Sequence, residues 1–313
     1  MGKTSIEWTD ATWNPITGCK EVSRGCANCY AARLAATRLR KLPEYDGLAT
    51  FSENTRWTGE VRFHPERLNE PLHWRQPRKI FVCDMADLFF DTPWAWIHDV
   101  FSVMQRCPQH TFQILTKRAE RMNALMSIPF LGGKVGKEWP LPNVWLGVSV
   151  ESQHFADERI PLLLSTPAAV RWISAEPLLG PMDLTRCGDR GIRFERGFLA
   201  PNIETPESRM NWVVCGGESG PNARPMHPDW ARSLRDQCVG GGVPFFFKQW
   251  GEWIHVSQIE AAMTVDQIKA LSMDTPCRTN GPEIFFKVGK KRAGRLLDGR
   301  EWNEFPKPAA VQP

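Results

Sequence analysis

Cys19, Cys26 and Cys29 fall within one short stretch, TWNPITGCKEVSRGCANCYA, and their type and spacing make them the residues best suited to hold a metal. Cysteine thiolates are the usual ligands of iron–sulfur clusters, and a close pair with a third at short range lets one loop wrap a cube of iron and sulfide. Three ligands leave one iron open, and an open coordination position can hold a small molecule. Two other readings of these cysteines stay open. One is a structural zinc site, which normally asks for four protein ligands while the nearest histidine along the chain is His64; the other is three unrelated buried thiols.

Such a loop needs a frame to hold it. Ala11 to Gly18 reads as a short first strand or an extended approach to the loop, with Pro15 limiting its length, and YAARLAATRLRKL after Cys29 has apolar residues at helical spacing. Glu60 to His64 suits a strand, and Pro65 to Trp74 a helix opened by proline. A regular rhythm follows. Lys79 to Cys83, Thr111 to Leu115, Asn143 to Val148, Val170 to Ile173, Trp212 to Cys215 and Val243 to Phe247 are short, almost continuous apolar runs. Helical patterns at Pro93 to Arg106, Arg118 to Ser127, Gln153 to Leu164 and Pro228 to Cys238 separate most of them. Buried parallel strands look like this, so the chain is expected to be an α/β protein, a parallel (β/α) barrel, complete or partial, forming a single domain over residues 1–313.

Polar residues follow each run in turn: Asp84 and Asp87; Thr116, Lys117 and Arg118; Ser149 and Glu151; Glu176; Gly216, Gly217 and Glu218; Lys248 and Gln249. In a parallel barrel these positions share the C-terminal rim, where active sites are built. Two insertions, at 129–142 and at 178–210 with Cys187, interrupt the rhythm, and 284–313 is expected to be a basic C-terminal extension carrying Lys287, Lys290, Lys291, Arg292, Arg295 and Arg300. That patch suits either phosphate contact or a solvated surface.

Hydrophobic residues at 42% and charged residues at 24% are ordinary for a globular chain with a sizeable core. No run of eighteen apolar residues is present, which excludes a membrane-spanning helix. Nine cysteines, an odd number, and a polar start without a signal peptide predict a reducing cytoplasm. A net charge of +4 is compatible with nucleic acid without requiring it. Fourteen tryptophans stand against two tyrosines; most such rings fill cores, and stacking on bases is the rarer use.

Cys-x6-Cys-x2-Cys followed by Tyr30 and Ala31, near the start of alternating strands and helices, resembles the cluster loop of radical S-adenosylmethionine (SAM) enzymes. TWNPITGC, VSRGCANCYA, FVCDMADLF, ILTKR, GVSVES, SAEPLLG, CGGESG, FFFKQWGEW and KVGKKRAGRLLDGREWNEFP together resemble a phage-associated family of three-cysteine-motif proteins grouped with those enzymes. Two details differ from the commoner pattern. The first gap has six residues instead of three, and the aromatic residue is Tyr30, after the last cysteine, while Asn28 stands before it. The Gly216-Gly217-Glu218 run follows a late strand, whereas the Gly-Gly-Glu of many radical SAM enzymes follows an early one. Cys-Tyr-Ala and Asp87 with Leu115-Thr116-Lys117 downstream are also similar to the spore photoproduct lyase-like branch, which acts on DNA.

The resemblance implies that Cys19, Cys26 and Cys29 bind a [4Fe–4S] cluster whose open iron holds SAM. It further implies reductive SAM cleavage to a 5′-deoxyadenosyl radical, and an electron donor such as flavodoxin or ferredoxin. Lys117 or Arg118 would meet the SAM carboxylate; Asp84, Asp87, Glu151 or Glu176 its ammonium or ribose; Ser149 and Thr116 would supply hydroxyls. Cys83, Cys215 or Cys238 would be hydrogen donors to a product radical, if they are more than small apolar core residues. A nucleobase or nucleic-acid substrate is the expectation, with a peptide or partner protein as the alternative. A nucleic-acid-binding or structural protein with a zinc or degenerate cluster site and no turnover is the third reading.

Overall fold

In a computed structural model, which describes residues 4–51, 55–127, 139–185, 197–199, 209–259, 264, 266, 271, 275–280 and 283–307, the apolar runs become the strands of one parallel sheet. In chain order the first elements are β1 (Ala11–Trp13), β2 (Ile16–Thr17), α1 (Tyr30–Ala36), β3 (Ala49–Thr50), β4 (Arg56–Trp57), β5 (Arg62–Phe63) and α2 (Pro65–Leu68). Then come β6 (Lys79–Val82), α3 (Trp94–Gln105), β7 (Thr111–Thr116), α4 (Ala119–Met126), β8 (Val144–Ser149), α5 (Gln153–Ser165) and β9 (Val170–Ala175). The last are β10 (Trp212–Gly216), α6 (Pro228–Gly241), β11 (Phe245–Gln249), β12 (Trp253–His255), β13 (Cys277–Asn280), β14 (Glu283–Lys287) and α7 (Lys290–Ala293). The large sheet has seven strands in the order β1-β6-β7-β8-β9-β10-β11. Its order is open, with β1 and β11 at the two ends, so the partial form of the parallel barrel is the one adopted. Every residue of β8 and β9 is buried, as expected for strands covered on both faces.

The chain packs as two compact units, one of residues 1–149, 159–172 and 307–313, the other of residues 150–158 and 173–306. In the first, Ala11 pairs with Ile80, Lys79 with Thr111 and Phe112 with Val144, all in parallel. One face of this sheet carries Phe81, Gln113 and Trp145 in a row. Trp8 lies on that face, 4.8 Å from the Phe81 ring and 5.2 Å from Trp172, and its carbonyl accepts a hydrogen bond from Gln113 Nε2. Gly147 makes room for Trp172, which is fully buried. A Cβ on Gly147 would lie 2.5 Å from Cε2 and Nε1 of that indole. Gly147→Ala is therefore expected to cost about 1–3 kcal/mol by overpacking. Urea denaturation checks this, and pairing it with Trp172→Leu should recover part of the loss.

In the second unit, β10 and β11 pair in parallel and β12-β14-β13 form an antiparallel sheet. Residues 302–304 run along the other edge of β11: Phe247 N–H donates to the Trp302 carbonyl at 2.9 Å, Glu304 N–H to the Phe245 carbonyl at 3.2 Å, and Phe246 bridges Asn303. Phe305 stacks on Trp212 at 5.1 Å. A sheet edge that would otherwise present unpaired backbone groups is thereby covered.

Several expectations are corrected. The presumed extension from 284 supplies β14 and the β11 edge, so it is an integral part of the second unit. The helix expected over YAARLAATRLRKL stops at Ala36, where Thr37 Oγ1 bonds back to the Arg33 carbonyl at 2.6 Å and competes with continued helix. Pro65 to Trp74 breaks into α2 and a 3-10 turn at Glu70–His73, because Pro71 has no N–H to continue the ladder. The last parallel strand begins at Phe245, so Lys248 and Gln249 lie within β11. Residues 129–138 and most of 178–210, with Cys187, are outside the described residues. Among the described residues no helix is long and apolar enough to cross a membrane.

Candidate metal centre

The segment after β2 reaches the three cysteines through Gly18, whose φ of +95° lies where side chains are disfavoured. A Cβ there would sit 2.1 Å from the Glu60 carbonyl oxygen. The close approach is used: Gly18 N–H donates to the Met85 carbonyl at 3.1 Å, and Gly59 N–H to the Cys19 carbonyl at 3.2 Å. Cys26 closes a 3-10 turn, Arg24–Cys26, that contains no buried residue. Its N–H donates to the Ser23 carbonyl at 3.0 Å, and Ser23 Oγ lies 3.8 Å from its sulfur. Cys29 is the N-cap of α1 and packs on a buried cluster of Ala31, Ala32, Ala35, Tyr45, Leu48, Trp57 and Met85, as does Cys19.

All three thiols are free of disulfides and partly buried. Burial, followed by the Asp87 carboxylate, pushes the Cys19 thiol up to about 12, while the Arg118 guanidinium acts in the opposite direction and the other two cysteines add to the rise. Burial also pushes Cys29 up, against the downward pull of hydrogen bonds from Ala32, Ala31 and Trp57. Burial thus favours the neutral thiol at Cys19 and Cys29 when no metal is bound. A tetrahedral zinc with Zn–S of about 2.3 Å would hold thiolates about 3.8 Å apart. Among the described residues only His227, His255 and Glu283 bring three ligand atoms within 4.8 Å of one another.

Asp87 organises the neighbourhood of Cys19. It follows β6 and is 6% exposed. Its carboxylate accepts from Thr116 Oγ1 at 2.6 Å, Phe89 N–H at 3.0 Å, Lys117 N–H at 3.1 Å and Arg118 Nη1 at 2.7 Å. Arg118 also donates to the Lys20 carbonyl at 2.6 Å and, from Nη1, to Cys19 Sγ at 3.9 Å, with its guanidinium over the Phe90 ring at 4.5 Å. Thr116, Lys117 and Arg118 at the end of β7 are thus tied to Asp87 and, through Arg118, to one candidate ligand. Lys117 contributes its backbone N–H, and its side chain is half-buried.

Asp84 has partners of its own. Its Oδ1 accepts from Asn14 Nδ2 at 2.5 Å, its carbonyl accepts from the Tyr30 hydroxyl at 2.9 Å, and burial raises its carboxyl. Asn14 Oδ1 in turn accepts from Met85 N–H at 3.1 Å. Asn14 was not among the residues singled out by type and spacing, although it lies in the same TWNPITGC run as Cys19. Cys83, just before, adopts φ +59°, which turns the chain at the end of β6. Its thiol is buried and burial pushes it up, as for Cys215 and Cys238, so all three sit in the core as neutral groups.

Ser149 ends β8, buried, with its carbonyl accepting from Arg159 Nη1 at 2.8 Å. In the second unit Glu151 is 1% exposed, and its carbonyl accepts from Leu179 N–H. At the ends of β9 and β11, Lys248 Nζ donates to both Glu176 oxygens at 2.8 and 2.9 Å. Gln249 Nε2 donates to the Gly217 carbonyl at 2.9 Å. The run after β10 is structural in form: a Cβ on Gly217 would lie 1.9 Å from the Trp250 carbonyl oxygen. The Glu218 carboxylate is taken by Arg224, with contacts of 2.8 Å from Nε and 2.5 Å from Nη2.

No curated protein and no solved structure matches the chain. The model of one family, described as a protein of unknown function (DUF5131), matches residues 3–306. With almost the whole chain inside that match, the protein belongs to the DUF5131 family.

Proposed function

We propose that the chain is a radical SAM enzyme in which Cys19, Cys26 and Cys29 hold a [4Fe–4S] cluster. The observation that carries this reading is the set of three free, partly buried thiols on one loop, two of them packed on one buried cluster and one receiving a hydrogen bond from Arg118. When bound, such a cluster supplies the electron that cleaves the carbon–sulfur bond of SAM, releasing methionine and a radical that takes hydrogen from the substrate. The chain's own residues bind and orient. Arg118, fixed by Asp87, donates to the Cys19 sulfur, and hydrogen bonds to ligand sulfurs tune the potential of a cluster. With Arg118 engaged in this way, Lys117 is the residue we assign to the SAM carboxylate. Asp84, beside the turn, suits the ammonium or ribose.

Nucleic acid is the substrate class we favour. Beside α1 a cavity of about 630 Å3 is lined by Arg40, Lys41, Tyr45 and Phe51 among others, and the Phe51 ring is 70% exposed. Cations interleaved with an open aromatic face suit a phosphate and a stacked base. The C-terminal cations contribute less than their number suggests, since Lys287 bonds the Pro221 carbonyl and Arg300 lies over Trp302 at 4.1 Å.

Anaerobic reconstitution with iron and sulfide, then dithionite and SAM, tests the reaction. The expected product is 5′-deoxyadenosine, formed in proportion to cluster content and raised by DNA or RNA but not by peptides. A protein that takes up zinc and no iron overturns the proposal.

A further inference from the structure

A cluster of possible metal ligands, remote in sequence from the three cysteines, lies in the second unit. His227 is the N-cap of α6, His255 ends β12 and Glu283 begins β14. Their ligand atoms lie within 4.8 Å of one another. Glu283 Oε2 is 2.5 Å from His255 Nε2 and 3.3 Å from His227 Nε2, so both imidazoles turn the same nitrogen toward one carboxylate oxygen. His255 is 7% exposed. Its Nε2 is buried and, despite the short approach of Glu283 Oε2, makes no hydrogen bond.

The rings are fixed from behind. His255 Nδ1 is 2.8 Å from Ser257 Oγ, and His227 Nδ1 is 3.8 Å from Asp229 Oδ2. Both nitrogens accept from backbone N–H groups at 3.2 Å, His255 Nδ1 from Ser257 and His227 Nδ1 from Asp229. A backbone N–H donated to each Nδ1 holds the ring in place with Nε2 turned toward Glu283, and an ion bound there would displace the Nε2 proton. Phe285 packs edge-on against both rings, at 5.0 Å from His255 and 6.3 Å from His227.

We propose that His227, His255 and Glu283 form a site for zinc or a similar borderline divalent cation. Two imidazoles and a carboxylate suit such ions, and three protein ligands leave a position for water. The side chains of His227 and Glu283 are 21% and 34% exposed, which gives solvent access to that position. The ion would clasp the start of α6 to β12 and β14, and this site is independent of the cluster reading.

The test is titration of the purified full chain with cobalt(II) and with zinc, followed by visible absorption, calorimetry and thermal unfolding, in wild type, His227→Ala and Glu283→Gln. The expected result is one equivalent bound with cobalt d–d bands and no thiolate charge-transfer band, and a thermal midpoint raised by zinc. Affinity should fall by at least ~100-fold in each variant. Glu283→Gln keeps the side-chain shape, and its midpoint without metal shows whether it folds. Unchanged affinity in folded variants, binding seen only as thiolate charge transfer, or a midpoint that zinc does not move overturns the proposal.

Discussion

Asp87→Ala is expected to lower stability by about 3–5 kcal/mol, the usual cost of removing one partner of a buried ion pair. The Asp87 carboxylate receives four donors, and the Arg118 side chain it neutralises is only 15% exposed. Without it, a guanidinium and two backbone N–H groups lose their acceptor where water enters poorly. Asp87→Asn keeps one carbonyl acceptor and the side-chain volume, so a smaller loss is expected. Chemical denaturation followed by tryptophan fluorescence measures both. A loss under about 1 kcal/mol for the alanine variant would show that Arg118 finds another partner, and the organising role given to Asp87 would fail. A second readout separates support of Cys19 from bulk stability. Arg118→Met removes the cation and leaves no carboxylate without its other three donors, so at a temperature where it is folded it should load iron yet show a more negative cluster potential.

The parallel sheet was legible because its strands are buried on both faces. Runs such as VWLGVS and VRWISA have no polar face, and little but a buried strand fits them at that length. Their polar followers were legible for the same reason: the first residue able to leave such a strand sits at its end, as Thr116 and Ser149 do. Partnership was not legible. Sequence order places Asp87 and Arg118 thirty-one residues apart and offers both as SAM contacts; only the fold shows that they neutralise each other. The antiparallel β12-β14-β13 sheet went unread because its strands are short and its cations suggested an extension. CRTN and EIFFK pair through backbone groups and through Phe285, with little alternation to mark them. His227, His255 and Glu283 were missed for a related reason, since no fixed spacing joins ligands that come from a helix cap and two strands.

Cys26→Ala is expected to abolish iron and acid-labile sulfide while leaving the unfolding midpoint equal to that of iron-free wild type. The two halves of this prediction come from different observations. Cys26 lies in a turn with no buried residue and makes one weak side-chain contact, to Ser23, so its loss should not disturb packing. As one of three ligands to a cube, however, it has no substitute close by, and two thiolates do not retain a cluster against solvent and oxygen. Cys29→Ala should also lose iron, but with a loss of stability as well, because Cys29 packs against the buried cluster that includes Trp57 and Met85. Wild type should bind about four iron and four sulfide per chain after anaerobic reconstitution. If Cys26→Ala retained wild-type iron, a different third ligand would be required and the loop would lose its assignment. If Cys26→Ala and Cys29→Ala lost iron and stability in the same measure, iron loss would follow unfolding and would say nothing about ligation. It is the unequal stability of two equally iron-free variants that identifies the thiols as ligands first and packing groups second.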